Sequence, residues 1–325
     1  MMNFIFGIEA NNYFNCYPNC KYYYYIDNEN NSICTLNSSC PNDYPLLIED
    51  KMECIKYDIK DLKKYLLNVE KNETKKTKEE EIKFYDNVLE IFEKGFTSEN
   101  YDTSNLDSGE DEIINTDKLI ITFTTSQNQR NNINNNMTRI NLGECETLLR
   151  NYYNIPINES IYLKKIDIIQ EGTNALKVEY NVYAKLFGKT LINLNLTICE
   201  KSKISISIPV VINEDLDKLN SSSGYYNDIC YTTTSKDGTD ILLKDRQQEF
   251  IDKDKIVCQE DCDFSEYDYE ALVATCSCKD KKSEQSFADM TINKEKILEN
   301  FKNIKNIINF EFLVCYKKLF KKKGF

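Results

Sequence analysis

The sequence predicts a β-rich α+β chain, in which small disulfide-stapled hairpin modules flank a central antiparallel β domain carrying a packed helix. Three observations predict it. Ten of the 13 cysteines fall in two clusters, 16–54 and 230–278, and an interval of thirteen residues between cysteines recurs within them. Residues 160–212 contain runs of apolar–polar alternation with period two, the pattern of strands with one buried face. Residues 77–94 and 143–153 place apolar side chains at helical spacing instead.

Composition removes whole classes of function. The 325 residues include no His, which excludes Ser-His-Asp and Cys-His catalysis and His-ligated metals. The nine glycines are never closer than 14 residues, so neither a P-loop nor a Rossmann fingerprint exists. A formal charge of -12 argues against nucleic acid or an anionic membrane surface as the dominant partner. No cofactor is implied. Clustered cysteines in a Gly-poor chain point to disulfides and an oxidising compartment. Zinc is the competing reading. Cys16/Cys20 and Cys258/Cys262 have ligand-pair spacing, but Cys34/Cys40 and Cys276/Cys278 do not complete the pattern. N-x-S/T sequons at Asn30, Asn37, Asn72, Asn136, Asn158, Asn195 and Asn220 suit a secreted glycoprotein.

Residues 11–58 form the first Cys-rich module, with Cys16, Cys20, Cys34, Cys40 and Cys54. Its two thirteen-residue intervals read as two copies of a small hairpin, Cys20 to Cys34 and Cys40 to Cys54. Such hairpins are too small to fold on burial alone, and closing a loop of about 15 residues contributes roughly 3 kcal/mol. Tyr22 to Tyr25 are then hairpin residues packed on disulfides, with a ligand-binding aromatic patch as the sharper alternative. This module resembles the Cys-rich repeats of growth-factor-receptor and furin-like ectodomains. The resemblance covers about 45 residues and implies a rigid extracellular spacer or receptor module.

Residues 59–106 are a charged helical connector. One helix start lies at 61–67, and a clearer helix spans 77–94, with Ile82, Tyr85, Val88, Leu89 and Phe92 on one face. Gly95 stands where a terminating glycine belongs. Residues 107–213 are the central β domain. Strands are expected at 118–126, 160–169, 175–187, 190–198 and 203–212, a loop at 127–138 and a helix at 143–153. Cys145 and Cys199 are the only cysteines there and are paired as a hypothesis, tying helix to sheet. That closure contributes roughly 4 kcal/mol. Residues 214–280 form the second Cys-rich module, with Cys230, Cys258, Cys262, Cys276 and Cys278. The close Cys276–Cys278 spacing is similar to EGF-like modules, although the six-cysteine pattern is incomplete. Thr239 or Asp240 is the expected cap of a helix running to Phe250. Residues 281–325 are a polar stem followed by an apolar–aromatic stretch ending in a basic cluster, which packs back or approaches a membrane.

Two acidic clusters could bind calcium. Asp107–Glu112 and the group of Asp261, Asp263 and Glu266 lack the EF-hand pattern, so the second is only a weak calcium candidate. No catalytic, cofactor or other metal residue is assigned. The first ten residues lack a basic region and Glu9 interrupts their apolar run, so they do not read as a signal peptide. No run is long enough for a transmembrane helix. Disulfide-type cysteines without either feature suggest an internal stretch of a longer ectodomain. Cys315, far from both clusters, is the expected unpaired cysteine.

The segments INLGECETLLRNYYNI (140–155), NSSSGYYNDICYTTTSKDGTDILLKDRQQEF (220–250) and DCDFSEYDY (261–269) resemble large Cys-rich surface proteins of AT-rich eukaryotic microbes, of the anaerobic gut fungal type. Lys outnumbers Arg 37 to 4, as an AT-rich genome would give. The resemblance covers most of residues 11–320. It implies a membrane-proximal ectodomain of a single-pass cell-surface protein, with an adhesive, receptor or scaffolding role and a protein or carbohydrate partner. It carries over no catalytic residue. The alternative is a secreted carbohydrate-active enzyme using paired carboxylates; absence of Trp weighs against it. A third reading is an intracellular zinc-binding interaction protein.

Overall fold

The computed structural model describes residues 6–10, 13–17, 20–27, 29–41, 44, 46–48, 52–56, 77–99, 101–131, 137–170, 176–234, 238, 240–252, 255–279 and 286–302. The helix start expected at 61–67 and the basic–aromatic stretch beyond 302 fall outside them. The fold is mixed α and β, with three mostly antiparallel sheets, several helices and internal disulfides. The chain divides into two units, residues 1–103 with 185–192, and residues 104–184 with 193–325.

The first unit holds β1 (Phe6–Ala10), β2 (Tyr13–Tyr17), β3 (Tyr24–Ile26), β4 (Ser32–Cys34), β5 (Leu46–Ile48) and β6 (Glu53–Ile55). They form one sheet in the order β2-β1-β4-β3-β6-β5. The two thirteen-residue intervals are the two expected hairpins: β3 pairs antiparallel with β4, and β5 with β6. Disulfides Cys20–Cys34 and Cys40–Cys54 close them. The copies join by parallel pairing of β3 with β6. Tyr24 Oη donates to Glu53 at 3.3 Å across that junction, and the Tyr25 ring packs on Tyr44 with centroids 4.5 Å apart. These tyrosines therefore build the hairpins.

Helix α1 (Lys78–Phe96) begins at a capping box: Thr77 Oγ1 accepts from Glu80 N–H and Glu80 accepts from Thr77 N–H. Tyr85, Val88, Leu89, Phe92 and Phe96 form its buried stripe. Gly95 does not terminate the helix as expected. It lies inside the last turn and is buried, and Thr97 is the cap, its hydroxyl donating to the Glu93 carbonyl.

The second unit contains α2 (Ser104–Asp107), β7 (Glu112–Asn115), β8 (Leu119–Thr125), α3 (Ser126–Asn131), β9 (Arg139–Asn141), α4 (Glu144–Tyr153), β10 (Tyr162–Ile169) and β11 (Leu176–Ala184). The short β12 (Ile192–Asn193) follows, then β13 (Lys203–Pro209), α5 (Gly224–Asn227), α6 (Leu243–Asp252), β14 (Cys262–Asp268), β15 (Val273–Lys279) and α7 (Lys294–Lys302). The long strands of one sheet run β11-β10-β8-β7, all antiparallel. A second sheet runs β14-β15-β13-β9 and so takes strands from both 107–213 and 214–280.

Further expectations needed correction. Residues 190–198 are not a full strand. After Asn193 the chain turns, and Asn195 Oδ1 caps a 3-10 helix (Leu196–Cys199) by accepting from Thr197 N–H. Part of the expected loop at 127–138 is helix α3. Its polar residues are buried by hydrogen bonds, Asn128 to the Leu106 carbonyl and Gln129 to Ile140 N–H, so no apolar periodicity announces it. Asp240 does not cap α6 but pairs with Thr234 in an isolated bridge; Thr239 lies outside the described residues. Finally, β10 and β11 have no solvated polar face. Lys164, Lys165, Asp167, Lys177 and Glu179 are all buried.

The covalent frame follows the cysteines. Cys145–Cys199 links α4 to the 3-10 helix, as proposed from sequence. The third thirteen-residue interval, Cys262 to Cys276, is not a closed unit. The bonds are Cys258–Cys276 and Cys262–Cys278, because Cys262 lies directly opposite Cys278 in the β14–β15 pairing. Cys230 is also disulfide-bonded. The side chain of Cys16 and all of Cys315 lie outside the described residues. Phe301 packs back from α7 onto Tyr225, Tyr226, Phe250, Ile256, Ile292 and Ile297.

Candidate functional site

Two polar constellations stand out in the second unit. The first lines an open cleft of about 380 Å³ between the end of β8, α3, α4 and the loop 156–161. Gly143, at φ +52°, turns the chain into α4, which puts Glu146 on the helix's first turn facing α3. Glu146 is buried, and two of the chain's four arginines converge on it. Arg130 Nη1 donates to Oε2, while Arg150 Nε and Nη2 donate to Oε1 at 3.1 and 2.8 Å. Arg150 Nη1 also donates to the carbonyls of Pro156 and Glu159, holding the loop. Burial pushes the Glu146 carboxyl up, but hydrogen bonds and charge from Arg150 and Arg130 outweigh it and hold the group below its usual range. Such an ionised, fully accepting carboxylate is a poor general acid. Glu159 also lines the cleft and offsets the triad's extra positive charge; Thr125, Ser126, Gln127, Thr147, Asn158 and Ser160 supply further polar lining. Polar side chains beside a half-exposed Arg suit binding of a polar group.

The second constellation is two buried ionic groups on β10 and β11, one on each face of their sheet. Lys165 Nζ donates to the Thr138 carbonyl at 2.9 Å and to Asp167 Oδ2 at 2.7 Å, and the Thr138 hydroxyl donates to Asp167 Oδ1. One strand away, Lys177 Nζ donates to Glu260 Oε1 at 2.8 Å and to the carbonyls of Asp289 and Thr291. Glu179 Oε1 is 3.8 Å from the same nitrogen. Lys177, Glu179 and Glu260 are at most 5% exposed.

Among the described sequons, Asn30, Asn37, Asn158 and Asn195 are exposed and Asn220 is half-buried. Asn72 and Asn136 lie outside the described residues. The calcium candidates do not converge. Asp261 pairs with Lys296, Asp263 Oδ1 accepts from Ser222 Oγ, and Glu266 is exposed on β14. Among the described residues no group of three His, Cys, Asp or Glu is placed to hold a metal ion, and no helix is long and apolar enough to cross a membrane.

Neither constellation was singled out from sequence. The available signals were the scarcity of Arg in a Lys-rich chain and the charged residues inside LKKIDII and LKVEY. Comparison with family models, curated proteins and solved structures gives no match. The five described disulfides by themselves mark an extracellular or secreted protein.

Proposed function

We propose that the chain is a non-catalytic, membrane-proximal ectodomain of a single-pass cell-surface protein, with an adhesive, receptor or scaffolding role. The observation that supports it best is the covalent frame. Disulfides close separate short stretches in both units, the construction of small modules that cannot bury enough apolar surface. Exposed sequon asparagines on both units suit a glycosylated surface. The basic–aromatic sequence FLVCYKKLFKKKGF is of the kind that borders a membrane. In the cleft, the ionisable groups hold one another and the loop, an arrangement for recognition rather than proton transfer. The resemblance to Cys-rich surface proteins of AT-rich eukaryotic microbes agrees with this role.

The test is expression in a eukaryotic secretory host, with the product immobilised and presented to a panel of glycans and cell-surface proteins. The expected product carries N-glycans at Asn37 and Asn158 and binds without turnover. Free thiols in place of the disulfides, or hydrolysis of any presented glycan, overturns the proposal.

A further inference from the structure

We propose that Lys177 and Glu260 become joined by an intramolecular amide bond, with Glu179 as the proton relay. The reacting groups are in contact: Lys177 Nζ lies 2.8 Å from Glu260 Oε1, so the carboxyl carbon is at most one C–O bond farther away. The pair is held there by its neighbours. Gln259 accepts from Val178 N–H through Oε1 at 2.7 Å, which fixes Glu260 beside the residue adjoining Val178 on β11. Carbonyls of Asp289 and Thr291 aim the amine from the other side, at 3.2 and 3.0 Å.

Electrostatics favours reaction over persistence. Lys177 and Glu260 face each other as full charges where water is excluded, so their separation carries a large desolvation cost. Among the described residues Glu260 Oε2 has no hydrogen-bond partner, although it is buried. The neighbouring Lys165–Asp167 pair provides the contrast. There both carboxylate oxygens are used, and the two residues share one strand. Nothing there asks for a bond.

The step balances without any co-reactant. Glu179 takes a proton from Lys177, and the neutral amine attacks the Glu260 carboxyl carbon. The C–Oε2 bond of the tetrahedral intermediate then breaks. Two protons from the original ammonium, one relayed by Glu179, convert Oε2 into water. Glu260 lines a void of about 20 Å³, room for one water molecule. The product amide retains one N–H, which keeps one of the two carbonyl acceptors, and the site loses two opposite charges. A covalent tie then joins β11 to a segment 83 residues away.

The experiment is intact-mass spectrometry of the full chain after reduction, denaturation and deglycosylation, followed by peptide mapping. The expected mass is one water below that of the sequence, with the Lys177 and Glu260 peptides recovered as one branched species. Lys177→Arg keeps the positive charge and is expected at its full mass. Glu179→Gln, with native near-UV circular dichroism, is expected to lose most of the branched species. Full mass with both wild-type peptides linear shows an ion pair only and overturns the proposal. A branched species undiminished in Glu179→Gln overturns the relay.

Discussion

The side chain of Gln259 exchanges two hydrogen bonds with the backbone of Val178: Val178 N–H donates to Oε1 at 2.7 Å, and Nε2 donates to the Val178 carbonyl at 3.4 Å. One glutamine thereby does what a neighbouring strand would do for that residue. It completes the edge of β11 on the side away from β10, where Val178 stands opposite Asp167. Gln259→Ala leaves a buried N–H without an acceptor. We expect a loss of about 2 kcal/mol in urea unfolding.

Disulfide mapping of the second cysteine cluster checks the pairing. Partial reduction and peptide analysis are expected to yield Cys258–Cys276 and Cys262–Cys278. Recovery of Cys262–Cys276 would show that sequence interval, not strand register, decides the bond.

Acid stability reports on Glu146. Its folded carboxyl sits below the usual range, so its contribution is complete above the unfolded value, about 4.3. That contribution is lost as pH falls through the depressed folded value. Glu146→Gln is expected to cost about 2 kcal/mol near neutral pH, because two guanidiniums lose their counter-charge. Its stability between about pH 5 and pH 2 should then fall less steeply than that of the parent chain. Equal slopes would refute the assignment.

Alkaline titration reports on the tyrosines. Burial, then the Glu249 carboxylate, pushes Tyr225 up to about 12; burial, then Glu53, does the same for Tyr24. Tyr226 is shifted in the same direction, chiefly by burial. These groups are neutral when folded, so their contribution is complete below the unfolded value, about 10, and is lost as pH rises towards 12. Ultraviolet titration is expected to show late-ionising tyrosines in the native protein that merge with the rest in urea. A single native transition near pH 10 would contradict this.

The hairpins were legible because their signals are local. Cysteines at a fixed interval bracket Tyr24–Ile26 and Ser32–Cys34 with a turn between. The α1 stripe was legible for the same reason. Legibility failed where polar side chains do structural work. Asn128 and Gln129 build a short helix by hydrogen bonding to residues far along the chain, and no hydrophobic period records that. Asn195 ends a strand-like run by capping, which competes with strand pairing. The polar positions of β10 and β11 follow the alternation of a solvated face. Only tertiary structure shows that residues 138 and 259–260 cover them. The cleft was hidden too, since Arg130, Glu146 and Arg150 meet through the packing of two helices.

The Cys145–Cys199 bond also decides how the protein carries mechanical load. Tension applied along the chain passes from α4 straight to the 3-10 helix through the two sulfurs, bypassing everything between. A separation of 54 residues is thus withheld from extension, roughly 180 Å of contour at about 3.4 Å per residue. The strands β10 and β11 and the groups buried on them lie inside that bypass. Beyond the bridge, a pull on the chain reaches these strands covalently only through Lys177 and its tie to Glu260.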